Sequence, residues 1–322
     1  MIAVVIDKEK NLVPCEVPDP VRKNDEIIIR VAAAGLNRAD LMQREGNYPP
    51  PDGWPEWPGL EVAGVVEESF EGSKWQKGDR VCALLGGGGY AEKTAVPQDL
   101  VLPVPEGLSM AEAAAIPEVF ATAYLNFFME AKVRKSETVL IQAGAGGLGS
   151  AAIQMMKKFG CRVITMVGSP EKAEFVRSLG ADIAVNRKTE DLGRVLEENP
   201  IDVALDCVGG PDLGKHLAKM NPWGRWILIA ALGGAKAEIP VDIIFRNRIR
   251  LIGSTLRSRP DAVKAEILRS MKDFLWEDLS SGRIRVMIDR SFPLERASEA
   301  QRRLEECRNL GKVVLLTESA AC

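Results

Sequence analysis

The chain has 322 residues, 46% of them hydrophobic and 27% charged, with a formal net charge of -3. That is the composition of a globular protein long enough for one large or two ordinary domains. The slightly acidic balance creates no field for phosphate backbones, which argues against a nucleic-acid partner. The N-terminal apolar run is too short for a signal peptide, and no apolar stretch reaches about 18 residues, so a cytoplasmic protein without a membrane partner is expected.

Six cysteines (Cys15, Cys82, Cys161, Cys207, Cys307 and Cys322) are scattered without a C-x-x-C pair. This argues against a disulfide framework or a zinc knuckle and predicts reduced, mostly buried thiols. The single histidine, His216, sits in the helix-like PDLGKHLAKM and is read as a surface or half-buried residue rather than a general base.

In chain order, IAVVID, EIIIRVAAAG, LEVAGVVEES, GDRVCALLGGGG and YAEKTAVP are short apolar segments set off by turns, the pattern of an antiparallel β-rich domain. They are interrupted by NYPPPDGWPEWPG, whose prolines exclude a regular strand or helix; long loops of this kind are often functional. At Ser109 the sequence SMAE has the capping-box spacing and opens an alanine-rich helical run. From Thr138 strands alternate with helices. TVLIQAG leads into a helix from Gly147 to Phe159 closed by Gly160, and CRVITMVG leads into a helix with Ser169 as N-cap and Pro170 first. ADIAVN, IDVALDCVG, GRWILIAAL and RIRLIGST continue as strands, which predicts a doubly wound α/β unit with a parallel sheet. Beyond Thr255 a long helix, IRVMIDRSF, the helix LERASEAQRRLEEC and the strand KVVLLT read as a return to the first domain. The expected boundaries are therefore 1–115, 116–255 and 256–322.

The motif QAGAGGLGSAA places Gly144, Gly146 and Gly149 at G-x-G-x-x-G spacing, with Gly147 and Leu148 opening the helix. The spacing alone also fits a plain strand-to-helix turn, but an apolar strand before it and an apolar helix after it favour a dinucleotide pyrophosphate site. The acid that binds an NAD ribose about 20 residues further on is missing. Gly168 and Ser169 stand at that strand tip, Lys172 follows, and Arg187 comes after the third strand. Either cation alone could be a solvated surface charge; together they suit a 2′-phosphate, so NADPH is predicted as the cofactor.

Across the full length, GLNRADLMQREGNY, PGLEVAGVV, GDRVCALLGGGGYAE, EGLSMAEAAAIPE, GSPEKAEFVRSLGA, LDCVGG, GRWILIAALGG, LRSR and NLGKVVL fall in one family order. The chain thereby resembles the medium-chain dehydrogenase/reductase superfamily, in its zinc-free quinone oxidoreductase branch and nearest the tumour-suppressor-inducible type. The resemblance implies a GroES-like β-barrel catalytic domain built from both chain ends, a Rossmann domain between them, an active site in the interdomain cleft, and a homodimer or homotetramer.

At the positions where zinc-dependent relatives carry ligands, the resemblance puts Asn37, Leu60 beside Glu61, and Glu118, a set that does not make a tetrahedral zinc site. The implied substrate is an acceptor that needs no Lewis acid, such as a small quinone, which gains aromaticity on reduction. On the acceptor side the resemblance points to Asn37 as a hydrogen-bond donor and Tyr48 as a wall or proton relay. From the residues alone, Asn37 also fits a turn and Tyr48 loop packing. On the cofactor side it points to Thr122, Val208, Leu232, Gly233, Leu256 and Lys312. Arg187 departs from the family's usual tyrosine and could grip the phosphate or stack on adenine. The expected activity is NADPH:quinone reduction, with enone reduction as the alternative and a cofactor-binding sensor as a reading of another class.

Overall fold

The computed structural model describes residues 1–318; Cys322, one of the six thiols, lies outside the described residues. The chain divides into two compact units, one of Met1–Ala121 with the segment from Arg257 on, the other of Thr122–Leu256.

The first unit opens with an antiparallel ribbon, β1 (Ile2–Ile6) and β2 (Leu12–Glu16). There follow β3 (Glu26–Gly35), α1 (Arg38–Arg44), β4 (Glu61–Glu68), β5 (Arg80–Leu84), β6 (Lys93–Pro97) and β7 (Val101–Pro103). The run Ile27-Ile28-Ile29 suits a pleated strand, and the small residues from Ala32 to Gly35 let β3 be covered on both faces. Ser109 and Glu112 close the capping box expected of them, each accepting the other's backbone N–H. The alanine-rich run is nevertheless not one helix. Pro117 lacks an amide hydrogen and disfavours helix in the residue before it. α2 (Met110–Ala113) therefore stops after one turn, and α3 (Pro117–Tyr124) starts afresh before widening into a π-helical turn over Leu125–Glu130.

The second unit alternates strictly: β8 (Thr138–Ile141), α4 (Gly147–Phe159), β9 (Arg162–Val167), α5 (Pro170–Ser178), β10 (Ile183–Asn186), α6 (Leu192–Glu198), β11 (Ile201–Asp206), α7 (Leu213–Leu217), β12 (Met220–Leu228), α8 (Val241–Asn247) and β13 (Arg250–Gly253). Every pairing is parallel, in the order β10-β9-β8-β11-β12-β13. The winding reverses between β8 and β11, and ligands of open α/β sheets bind outside the carboxyl ends of strands at such a switch point. Gly160, in the left-handed region at φ 95°, ends α4 as the sequence indicates. Leu140, Ile164, Val185, Ala204 and the fully buried Trp226 form the core beneath the sheet's helices.

The returning segment contributes α9 (Asp261–Ser280), β14 (Ile288–Pro293), α10 (Ala297–Glu305) and β15 (Lys312–Leu316). β15 pairs antiparallel with β3 and parallel with β14, completing a seven-stranded sheet from both ends of the chain. Among the described residues no helix is long and apolar enough to cross a membrane.

Candidate functional site

The three glycines of the turn after β8 do different work. A Cβ on Gly144 would lie 1.9 Å from Thr165 Oγ1, which is itself pinned by donating to the Ile141 carbonyl at 2.7 Å. A Cβ on Gly149 would lie 2.5 Å from the Gly144 Cα, so both positions permit close packing of α4 on the sheet. Gly146 is different: a Cβ there meets only the Ala143 carbonyl, at 3.6 Å, and would project into open space above the turn. Gly146 is also the N-cap of α4, so no side chain caps the first-turn N–H groups of Gly147, Leu148 and Gly149. At the head of the motif Gln142 Oε1 is buried without a hydrogen-bond partner. A bare, electropositive helix terminus at the switch point fits a dinucleotide pyrophosphate.

At the tip of β9, Gly168 leaves room for the exposed Arg187, whose Nε lies 3.5 Å from where a Gly168 Cβ would stand. The Arg187 amide donates to the Val167 carbonyl, which fixes the strand tips side by side. Ser169 caps α5 by accepting the Lys172 N–H at 3.3 Å. Gly168, Ser169, Lys172 and Arg187 are thus gathered at one corner without a carboxylate at the strand tip.

The loops after β11 and β12 are tied together. Leu232 N–H donates to Cys207 O and Gly233 N–H to Val208 O at 2.7 Å, and a Cβ on Gly233 would strike Val208. Asp206, fully buried, organises this corner: Oδ1 accepts from the Val208 and Gly209 amides and Oδ2 from Trp226 Nε1 at 2.9 Å. Sequence reasoning missed Asp206, although an acid ending an apolar strand before V-G-G was a visible signal. Leu256 is buried, and the Thr122 carbonyl accepts from Asn126 Nδ2 at 2.7 Å. Thr122 and Leu256 mark the two ends of the second unit.

In the first unit Asn37 and Lys312 are brought together by the pairing of β15 with β3. Lys312 Nζ donates to Glu61 Oε1 at 2.5 Å, to the Leu36 carbonyl at 2.5 Å and to Asn37 Oδ1 at 2.8 Å. Asn37 Nδ2 donates to Glu61 Oε1 at 3.0 Å, and Glu61 Oε2 accepts the Glu118 N–H at 2.8 Å. Glu61 is fully buried and Lys312 is 3% exposed. Lys312, expected to reach toward the cofactor, therefore has all three ammonium hydrogens taken by acceptors of its own unit. Asn37, expected to donate to a substrate, has both ends of its amide engaged internally. Beside them Asp40 accepts from Asn37 N–H, Gly59 N–H and Tyr90 Oη, and burial pushes its carboxyl up to about 6.

Tyr48, in the Pro-rich loop, is half-buried with the Arg257 guanidinium 5.1 Å from its ring centre. Burial, followed by the nearby Glu118 charge, raises its phenol above the usual range, so the hydroxyl stays protonated and can donate.

Two family models match in the order the fold presents them: the alcohol dehydrogenase GroES-like domain over residues 23–106 and the zinc-binding dehydrogenase over residues 147–273. The chain is 30% identical to the quinone oxidoreductase of Sus scrofa, over 94% of its own length and 92% of that protein's. It is also 30% identical to the synaptic vesicle membrane protein VAT-1 homolog of Danio rerio, covering 93% of this chain and 66% of that one. The quinone oxidoreductase from Thermus thermophilus, solved alone and with NADPH, superposes with a TM-score of 0.85 at 34% identity, covering 98% of this chain and 100% of that one. A zinc ion does not fit the residues present. Leu60 offers no donor, Glu61 already holds the Lys312 ammonium, and no cluster of His, Cys, Asp and Glu able to hold a metal occurs among the described residues. With both domain models in sequence order and two quinone oxidoreductases matched end to end, the chain belongs to the medium-chain dehydrogenase/reductase superfamily, in its quinone oxidoreductase branch.

Proposed function

We propose that the protein is an NADPH-dependent quinone oxidoreductase that works without a metal. The observation that carries this reading is the Lys312 ammonium bonded to Glu61, which puts a fixed protein cation on the carboxylate a metal would need. An acceptor must then take hydride unaided, and quinones do so because reduction makes them aromatic.

In this reading the backbone at Gly144, Gly146, Gly147, Leu148 and Gly149 cradles the pyrophosphate, and Arg187 with Lys172, beside Gly168 and Ser169, pairs with the 2′-phosphate. Val208, Leu232 and Gly233 line the ribose and nicotinamide side, with Thr122 and Leu256 at the edges of the nucleotide-binding unit. When bound, NADPH supplies the hydride. Tyr48 stands as the wall of the acceptor pocket and offers a protonated hydroxyl; the proton that completes the hydroquinone comes from it or from solvent. Asn37 and Lys312 hold the pocket floor rigid through Glu61 rather than reaching out of it.

The experiment is to follow NADPH and NADH oxidation with ortho-quinones, para-quinones and enones in parallel. Quinone turnover preferring NADPH is expected. Turnover with enones alone overturns the quinone reading in favour of enone reduction, and none with any acceptor despite tight NADPH binding favours a sensor.

The molecule is further proposed to be a homodimer. β13 is the outer strand of its sheet, Leu251 on it is 37% exposed, and Val241, Phe245 and Trp223 are 69%, 66% and 64% exposed. An apolar, open sheet edge in a second copy satisfies both the backbone and the side chains by isologous pairing. A light-scattering mass near a single 35.1 kDa chain contradicts this.

A further inference from the structure

Three cations are buried in the first unit among the described residues, and they are not treated alike: Lys264 is paired with Asp261 at 3.1 Å. Lys312 is matched by Glu61. Arg257, 4% exposed, is bonded only to neutral acceptors: Nε to the Gly86 carbonyl at 2.7 Å, Nη1 to the Tyr48 carbonyl at 2.9 Å and Nη2 to Gln43 Oε1 at 2.7 Å. Burying a guanidinium without a carboxylate in contact is costly, and a planar fork is suited to reaching several acceptors at once. Those acceptors share one feature, since all three belong to the seat of the Pro-rich loop. Gln43 in turn donates from Nε2 to Glu56 O near the loop's other end, at 2.6 Å.

The rest of that loop needs no such rivet. From Trp54 to Gly59 it lies directly on the glycine run 86–89: Trp57 Nε1 donates to Gly88 O, and the Gly88 and Tyr90 amides donate back to Trp57 O and Pro58 O. A Cβ on Gly86 would come within 2.6 Å of the Trp54 ring, and one on Gly88 within 2.7 Å of Pro55, so the glycines are what lets the chain settle there. At the Tyr48 end prolines supply no amide hydrogens, and the bond that holds the Tyr48 backbone comes from Arg257, whose guanidinium also covers the ring.

We propose that Arg257 is a positioning residue: it fixes the Tyr48 end of the loop over residues 47–58 and so sets the wall against which the acceptor binds, without touching the cofactor. The acceptor part of this inference rests on the quinone reading; the loop part does not.

The test compares Arg257→Lys and Arg257→Met with the parent protein by hydrogen exchange of the loop peptides, by acceptor kinetics and by NADPH binding. Lysine keeps the charge but cannot span the three acceptors, whereas methionine keeps only the stem; the lysine variant guards against a methionine variant that fails to fold. Faster exchange at residues 45–53, with 54–58 little changed, is expected in both. With it comes a rise of about tenfold in quinone KM, the effect of losing roughly one charge-assisted hydrogen bond's worth of positioning, milder in the lysine variant. The NADPH dissociation constant is expected to stay within about twofold, since no positioning bond at the nucleotide turn is removed. Unchanged loop exchange overturns the proposal whatever the kinetics show. Faster exchange with an unchanged quinone KM overturns the claim that the loop sets the acceptor wall. If the parent reduces no quinone while loop exchange still rises, the functional reading fails and the role of Arg257 in holding the loop stands.

Discussion

Replacing Lys312 by methionine leaves Glu61 buried with a full charge and only N–H donors from Asn37 and Glu118 to offset it. Removing one partner of a buried ion pair costs about 3–5 kcal/mol, because the stranded charge has lost its compensation while remaining desolvated. For a unit of roughly 200 residues, each kcal/mol shifts the midpoint by about 2–4 °C, so the unit's melting transition should fall by on the order of 10 °C. Glu61→Gln alone should cost a comparable amount, but Lys312→Met with Glu61→Gln should cost far less than the two singles together, since the double variant holds no unpaired charge. Scanning calorimetry of the four proteins gives the coupling directly. A Lys312→Met variant that loses under about 1 kcal/mol refutes a buried pair. If it instead keeps its stability while its NADPH affinity drops more than about tenfold, the ammonium serves the cofactor rather than the floor.

Gly144→Ala forces a Cβ against Thr165 Oγ1 and should destabilise the second unit by several kcal/mol on thermal unfolding, whereas Gly146→Ala meets open space and should leave stability nearly intact while weakening NADPH binding by about tenfold or more. Equal melting losses in the two variants refute the division of labour. Arg187→Ala should raise the NADPH dissociation constant by at least about tenfold, one charged hydrogen bond being worth about 1.5–3 kcal/mol, and leave NADH binding unchanged; equal losses for both nucleotides would place Arg187 against adenine instead. Asp40 has a folded pKa raised to about 6 from 3.8, so between those values the folded state holds a proton that the unfolded state has released. Stability from this group is therefore fullest below about pH 4 and falls by on the order of 3 kcal/mol by pH 7. Asp40→Asn should remove that decline, visible as the difference between two urea-denaturation series over pH 4–7; parallel series refute it.

Both units and the glycine turn could be read from the sequence because each rests on a local signal: apolar runs bounded by turns in β3 and β4, strand, glycines and helix at Gly144 to Gly149, and capping at Ser109 and Ser169. What could not be read is set by contacts between distant residues. Lys312 and Asn37 meet only because β15 pairs with β3, and each finds hydrogen-bond partners within the first unit that no local pattern announces. The break at Pro117 is a local signal too, but the alanine content around it points the other way and masks it.

The contrast between Lys312 and Arg257 follows from what each has to hold. Strands β3, β4 and β15 already fix the backbone around Glu61, so a single well-matched pair there adds rigidity with the charges cancelled. The Tyr48 end of the loop has no sheet partner and, over Pro49 to Pro51, no amide hydrogens to donate, so past the Asn47 amide, which donates to the Met42 carbonyl, its order comes from a side chain outside it. A carboxylate in contact with Arg257 would compete with the carbonyls for the same fork. Leaving the guanidinium without one keeps all of its donors on the loop's seat, and the desolvation cost of that choice is set against the order it imposes at Tyr48.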